Sequence, residues 1–308
     1  MTPDESRAAV VATASLQGLD PRGAVLLHLG PHHTWRLPKC GAIAKVWRPG
    51  TDFATAFREC RIGSWLRRNG IRTPRLVGNS AFPAPYAEGR YYLHVTYTED
   101  LGDRRPSMAV LADVMRRMHG LDVPPRLGLW TFSPVPKLAQ RITELPPGAL
   151  SHDQEMHLRG LLANAQAAWC SVPWPAPSVI HGDPGFANCL MTSTGPALID
   201  FERTSTGPAL WDQAIFAWRR DVFGMPSSEF EEFVGGYGAD VTTHDDGRTY
   251  RLLTPLFALT AWLYLAECAR TEPELQAESD RRLATLLALP PFPWSWKSAT
   301  EARAKATR

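Results

Sequence analysis

The stretch between residues 179 and 202 constrains the fold of this 308-residue chain more than any other. It reads Val179-Ile-His-Gly-Asp-Pro-Gly-Phe-Ala-Asn-Cys-Leu-Met191 and then, past Ser193-Thr194-Gly195, Ala197-Leu-Ile-Asp-Phe-Glu202. Short apolar blocks end in polar residues, and the turn between them predicts a β-hairpin over 188–191 and 197–200. Asp183 and Asn188 share a loop with Pro184 and Gly185, so a tight turn brings them to one side. Hairpin pairing returns Asp200 beside Asn188. An amide oxygen and a carboxylate converging there are hard donors, suited to a Mg2+ that also carries substrate phosphates. Asp183 is then left to accept a proton from an attacking hydroxyl.

The chain on either side changes character. Before residue 98 it reads as a short helix over 4–17, then apolar runs at 24–29, 34–37 and 42–47 separated by Gly-Pro-His-His and Pro-Lys-Cys-Gly turns, an antiparallel meander. Residues 53–68 have helical apolar spacing closed by Asn69-Gly70, and 75–78 and 91–97 read as two more strands. After Asp100 helices dominate, over 107–119 with Ser107 as N-cap, 151–170, 209–221, 228–236 and 250–288. The expected architecture is α+β and two-lobed. Residues 1–98 would form a small lobe of antiparallel sheet with one key helix, and residues 99–308 a larger, mostly helical lobe interrupted by the hairpin. Clefts between lobes are favoured places for ligands.

Lys45 lies inside the apolar strand Ala42-Ile-Ala-Lys-Val-Trp47, where an unpaired ammonium is costly. It is one of only five lysines, at 39, 45, 137, 297 and 305. Glu59 follows on the apolar-periodic helix 53–68; the two either pair or stand as a strand lysine snorkelling to water and a solvated helix charge. The overall counts mostly exclude. With 33 Lys+Arg against 31 Asp+Glu the net charge is +2, which excludes a protein that coats nucleic acid or an anionic membrane. Apolar residues at 44% and charged residues at 21% exclude wholesale disorder. Five scattered cysteines without a C-x-x-C pair predict reduced thiols. Asp4 and Glu5 precede only a short apolar stretch, so no signal peptide is expected. The uncharged run 252–266 contains Pro255 and is too short to cross a bilayer. These features predict a cytoplasmic protein, a monomer or dimer, with no nucleic-acid or membrane partner.

His-Gly-Asp followed, after four intervening residues, by Asn188, and then Ile-Asp-Phe-Glu at 199–202, resembles the catalytic and metal-binding motifs of the aminoglycoside phosphotransferase and choline kinase group. Those enzymes share the two-lobed protein-kinase-like fold. The resemblance implies that Asp183 is the catalytic base and that Asn188 and Asp200 hold magnesium. It implies that His181 braces the loop and that Asp212 anchors it from the following helix. Lys45 would lie on the α and β phosphates of ATP or GTP, oriented by Glu59. Phe57-Arg-Glu-Cys-Arg-Ile-Gly-Ser-Trp-Leu66 and Ile71-Arg-Thr-Pro-Arg75 resemble this group's helix and its exit. Backbone groups near Thr96, Tyr97 and Thr98 are expected to meet the adenine edge. One element departs from the pattern: in place of G-x-G-x-x-G the chain has Gly30-Pro-His-His-Thr-Trp35. There His33 and Thr34 either donate to phosphate or form a plain turn. Together with the lack of an A-P-E segment after Asp200, this argues against a protein kinase. Strand alternation and one tight turn scatter His28, His32 and His33, which argues against a metal site made from them.

The expected reaction is transfer of the γ-phosphoryl group to a hydroxyl of a small molecule. Residues 221–247 carry seven acids and no Lys or Arg. In the related antibiotic kinases, acids in this region help grip polycationic aminoglycosides. Asp221, Glu231 and Asp240 are therefore candidate contacts for a cationic, hydroxylated substrate, with Glu202 of the preceding motif as a fourth, although the run 221–247 also fits a solvated helix and loop. The tail 297–308, with four bases and one acid, points the other way. Three functions remain open: an antibiotic-inactivating O-phosphotransferase, a metabolic or biosynthetic kinase of a sugar, amino alcohol or amino acid, and a catalytically silent nucleotide-binding module.

Overall fold

The computed structural model describes residues 1–30, 32–77, 83–97 and 105–306. Helix α1 (Pro3–Leu16) starts on Thr2, whose hydroxyl accepts from the Glu5 amide while the Glu5 carboxylate accepts from the Thr2 amide, a reciprocal cap. Strands β1 (Val25–Leu29), β2 (His33–Leu37) and β3 (Ala42–Val46) follow, then α2 (Phe53–Arg68), whose first turn is capped by Asp52. Next come β4 (Arg75–Leu76), β5 (Ala84–Tyr86), β6 (Tyr91–Tyr97) and α3 (Met108–His119), the last capped by Ser107 as its sequence predicts. Helices α4 (Pro134–Thr143) and α5 (His152–Ser171) and strand β7 (Ser178–Ile180) precede the hairpin of β8 (Cys189–Thr192) and β9 (Gly195–Leu198). The chain continues through β10 (Ser205–Gly207), α6 (Leu210–Phe223), α7 (Ser227–Tyr237), α8 (Arg248–Ala269), α9 (Gln276–Ala288) and α10 (Ala299–Ala306).

By internal contacts the chain divides into two units. One is Met1–Leu129 with His181–Thr204, and the other is Trp130–Ile180 with Ser205–Arg308. The break expected between residues 98 and 99 falls on 98–104, outside the described residues. The division differs from that expectation in grouping α3 and the hairpin with the sheet.

In the first unit the strands form one antiparallel sheet in the order β1-β2-β3-β6-β4, with β5 also paired to β6. One face carries Trp35, Leu37, Ala42, Ala44, Val46, Leu93 and Val95, which bury against Ala9, Val10 and Ala14 of α1. The two-residue strand period therefore sends Thr34, Ile43, Lys45, His94 and Thr96 to the opposite face. The register pairs Lys45 with Thr34 on one side and His94 on the other. A polar patch in an otherwise apolar sheet thus follows from alternation alone.

The second unit is mainly helical, with α8 at its centre in contact with α4, α5, α6 and α9. Phe132, Trp169, Trp211 and Phe257 form a run of tilted ring contacts that ends in its interior, where Trp211 and Phe257 are buried. Among the described residues one segment, His244–Ala269, is long and apolar enough to cross a membrane; 56% of its apolar window is buried inside the fold, as in a core helix. The single helix expected over 250–288 is two. Pro273, with no N–H to donate, opens a short 3-10 turn that separates α8 from α9. Helix α4, which begins on Pro134, lies in a proline-rich region that gave no helical signal.

Candidate active site

The site elements in the first unit meet at Lys45. Its Nζ donates to both oxygens of Glu59, at 3.2 and 2.9 Å, and to Oδ1 of Asp200 at 2.8 Å. It also sits 4.5 Å above the buried Trp47 ring, a cation–π contact. Strand β3 supplies the lysine, α2 the glutamate, and the end of β9 the aspartate. Burial works against the Lys45 ammonium, but the two carboxylates overcome it and its pKa is raised. Burial likewise opposes ionisation of Asp200, and the Lys45 charge outweighs it, so that pKa is lowered. Burial also pushes Glu59 upward against the pull of Lys45. With all three hydrogen bonds at 3.2 Å or less, the cluster is a charged one. Side-chain exposure is 14% for Lys45 and 7% for Glu59 but 42% for Asp200, so the aspartate is its open end.

Asp200 has a left-handed backbone, with φ of 65° and ψ of 69°, which turns the chain sharply out of β9 into the short helical turn Phe201–Arg203. That turn is held from two sides. Arg58 of α2 donates to the carbonyls of Thr204, at 2.9 Å, and Glu202. Buried His181 contacts the Ile199 carbonyl through Nε2 at 3.0 Å, one residue before Asp200. Gly182 has φ of 82°, and a Cβ there would lie 2.7 Å from the Arg203 carbonyl oxygen. Only glycine lets the 181–183 segment pass so close to the turn. Asp183 follows, half-buried, its carbonyl accepting from Asn188 Nδ2 at 2.9 Å. Among the described residues the Asp183 carboxylate has no hydrogen-bond or ion-pair partner. The hairpin closes the loop, since the Ile199 amide donates to the Asn188 carbonyl at 3.0 Å.

This donor set fits a hard divalent cation. With Nδ2 spent on Asp183, Asn188 has Oδ1 to offer, and Lys45 engages only one oxygen of the exposed Asp200 carboxylate. Among the described residues no three His, Cys, Asp or Glu side chains form a cage by themselves. Mg2+ is held in this way, by one or two protein oxygens together with phosphate and water.

The remaining sequence candidates separate by face and partner. Thr34, half-buried, lies on the Lys45 face, but His33 does not. Strand β2 begins one residue earlier than expected, so His33 obeys strand alternation and buries against α1, its Nδ1 2.8 Å from Ser6 Oγ. Thr96, the last residue but one of β6, lies on the Lys45 face, whereas Tyr97 ends the strand, pairs with Ala42 and lies under Arg75. Thr98 lies outside the described residues. Glu202 is engaged by His32 at 3.1 Å. In the second unit Asp221 accepts from Tyr250 Oη at 2.6 Å and from Arg220 at 2.7 Å, tying α6 to α8. Asp240 caps the turn after α7 by accepting from the Thr242 amide and hydroxyl. Asp245 does the same for Thr249 at the start of α8. These acids belong to the fold, and Glu231 is exposed on α7. Asp212 is buried in the first turn of α6.

Sequence reasoning missed four neighbours: Trp47 beneath Lys45, His94 hydrogen-bonded to Trp47 Nε1 at 3.2 Å, Arg58, and His32. Only the glycine of His-Gly-Asp carried a local signal for the close approach of Gly182.

A sequence model of the phosphotransferase enzyme family (APH) matches residues 32–253, which spans Lys45, Glu59, the Asp183 loop and Asp200. The chain belongs to the phosphotransferase enzyme family. It is accordingly a small-molecule kinase, and its fold is the kinase-like one of that family. Solved structures agree on the fold. The amicoumacin kinase hAmiN, crystallised with AMP-PNP, Ca2+ and Ami, superposes with a TM-score of 0.70 at 14% identity over 96% of this chain and 99% of its own. A choline/ethanolamine kinase family protein from Mesorhizobium loti gives 0.64 at 19% identity, covering 94% and 95%. Spectinomycin phosphotransferase APH(9)-Ia, in complex with ADP and spectinomycin, gives 0.64 at 12% identity, covering 90% and 93%. No curated protein matches the sequence.

Proposed function

We propose that this phosphotransferase moves the γ-phosphoryl group of ATP, or of GTP, to a hydroxyl of a small molecule, and that its acceptor is an aminoglycoside or another cationic antibiotic. The observation that carries the reaction is Lys45 held between Glu59 and Asp200 within bonding distance of both. A buried ammonium fixed by one enclosed and one open carboxylate is poised to exchange the open partner for phosphate oxygens. Glu59 would keep Lys45 aimed at the α and β phosphates. Asn188 and Asp200 would hold Mg2+, which when bound supplies positive charge to the phosphates. Asp183, whose carboxylate has no partner among the described residues, would accept the hydroxyl proton, and His181 would keep the loop on β9. Thr34 and the backbone near Thr96 and Tyr97 would face the nucleotide. The free cysteines and the use of a nucleotide support a cytoplasmic enzyme.

The antibiotic acceptor rests on the family's antibiotic kinases and on the exposed acids Glu231 and Glu232. A second reading, a metabolic kinase of a sugar, amino alcohol or amino acid, is favoured by one specific observation. Asp221, Asp240 and Asp245 are spent on the fold, which leaves less negative charge for a polycation. The complete Lys45, Glu59, Asp183, Asn188 and Asp200 set argues against a silent nucleotide-binding module. A coupled ADP-release screen across aminoglycosides, peptide antibiotics, macrolides, choline, homoserine and sugars distinguishes these. Acceptor-dependent ADP release with a cationic antibiotic is expected. Release with a metabolite alone moves the assignment to the second reading, and no release with any acceptor returns the silent module.

A further inference from the structure

The outer side of α2 carries a feature that phosphoryl transfer does not use. A cavity of about 480 Å³ opens between α2 and the segment 124–127. Its lining recurs along one stripe of the helix, from Phe57 through Arg61 and Trp65 to Arg68, whereas Glu59 projects from the buried inner face toward Lys45. The floor is apolar, with Trp65 and Leu127 buried at 6% and 5% exposure. The rim is cationic: Arg61 and Arg68 come from the helix, and Arg126 from the facing segment. Among the described residues no carboxylate lines the cavity, and none of the three guanidinium groups forms an ion pair. Arg61 instead donates to the Arg126 carbonyl and lies over the Phe57 ring, 5.6 Å from its centroid. Arg68, in the last turn of α2, offsets the negative end of the helix. That accounts for neither Arg61 in mid-helix nor Arg126 on another element.

Three guanidinium groups without an ion-pair partner around an apolar floor make the cavity a place of positive potential that attracts an anion. We propose that this cavity is a binding site for a small organic anion with a flat apolar body, an aromatic carboxylate or its phosphate or sulfonate counterpart. The body would lie on Trp65 and Leu127 while the acid group takes paired N–H donors from Arg126 and Arg68. The site is independent of the acceptor assigned to the kinase.

The test titrates the full chain with 2-naphthoate and with the isosteric neutral 2-naphthamide, by calorimetry. Naphthoate should bind and the amide should bind about tenfold more weakly or not at all, the loss of charge-assisted hydrogen bonds. R68Q together with R126Q, both exposed and outside the phosphotransfer machinery, should weaken naphthoate by a similar factor. S64W, which fills the cavity, should remove binding, and R159Q in the second unit should change nothing. Equal binding of acid and amide, unchanged affinity in the double variant, or no binding of naphthoate to the native chain each overturns the proposal.

Discussion

Lys45 shows how one charge organises its surroundings. The ammonium is enclosed by Glu59, Asp200 and the Trp47 ring, and His94, paired with it across the sheet, must adapt. Burial and then the Lys45 charge push the His94 pKa down from 6.5 to about 3, and its Nδ1 serves as acceptor for Trp47. The folded protein therefore refuses a proton that the unfolded chain takes up below pH 6.5. Stability should fall as pH drops from 6.5 toward 3, by up to about 1.4 kcal/mol per pH unit from this residue. Denaturant midpoints of native protein and His94→Gln across that range check it, and the variant should lose part of the slope. Gly182 gives a second prediction. Alanine there meets both the left-handed backbone and the Arg203 carbonyl, so Gly182→Ala should destabilise by about 2 kcal/mol or more and lower turnover. An unchanged melting temperature would falsify the account of that close approach.

Among the elements, α2 does two tasks with adjacent residues. Glu59 orients Lys45, and Arg58 clasps the carbonyls of Glu202 and Thr204 in the turn just after Asp200. Arg58→Met should leave the sheet intact yet loosen that turn, lowering kcat/KM for nucleotide about tenfold; steady-state kinetics at varied Mg·ATP measure it. Helix α9 carries a separate structural centre. Glu278 accepts from Arg281, Arg282 and the Lys297 amide, with Glu278 and Arg282 both buried. Glu278→Ala leaves a buried guanidinium uncompensated and should cost about 3–5 kcal/mol, visible as a lowered chemical-denaturation midpoint. Most element types were legible because apolar periodicity and caps are local, as with Ser107 before α3 and the hairpin around residue 194. The direction of His33 was not, because it depends on β2 starting at 33 and not 34, which puts His33 on the face opposite Thr34. The role of Asp221 was not, because its partner Tyr250 lies 29 residues away. Asp240 is different: its bond to Thr242 is a local turn signal that the run of acids obscured.

For the whole molecule, the near-neutral charge and the phosphotransferase family both point to a small-molecule acceptor, and the fold determines which acids remain to meet it. The five residues Lys45, Glu59, Asp183, Asn188 and Asp200 come from distant parts of the chain, yet all belong to one compact unit. The central claim is that Asp183 acts on the acceptor hydroxyl while the Lys45 cluster and Asn188 hold the nucleotide. Its most direct test compares Asp183→Asn with native protein, measuring acceptor-dependent ADP release and, separately, Mg·ATP affinity by calorimetry. The account predicts turnover reduced about a hundredfold or more with nucleotide affinity unchanged. Undiminished turnover in the variant contradicts it.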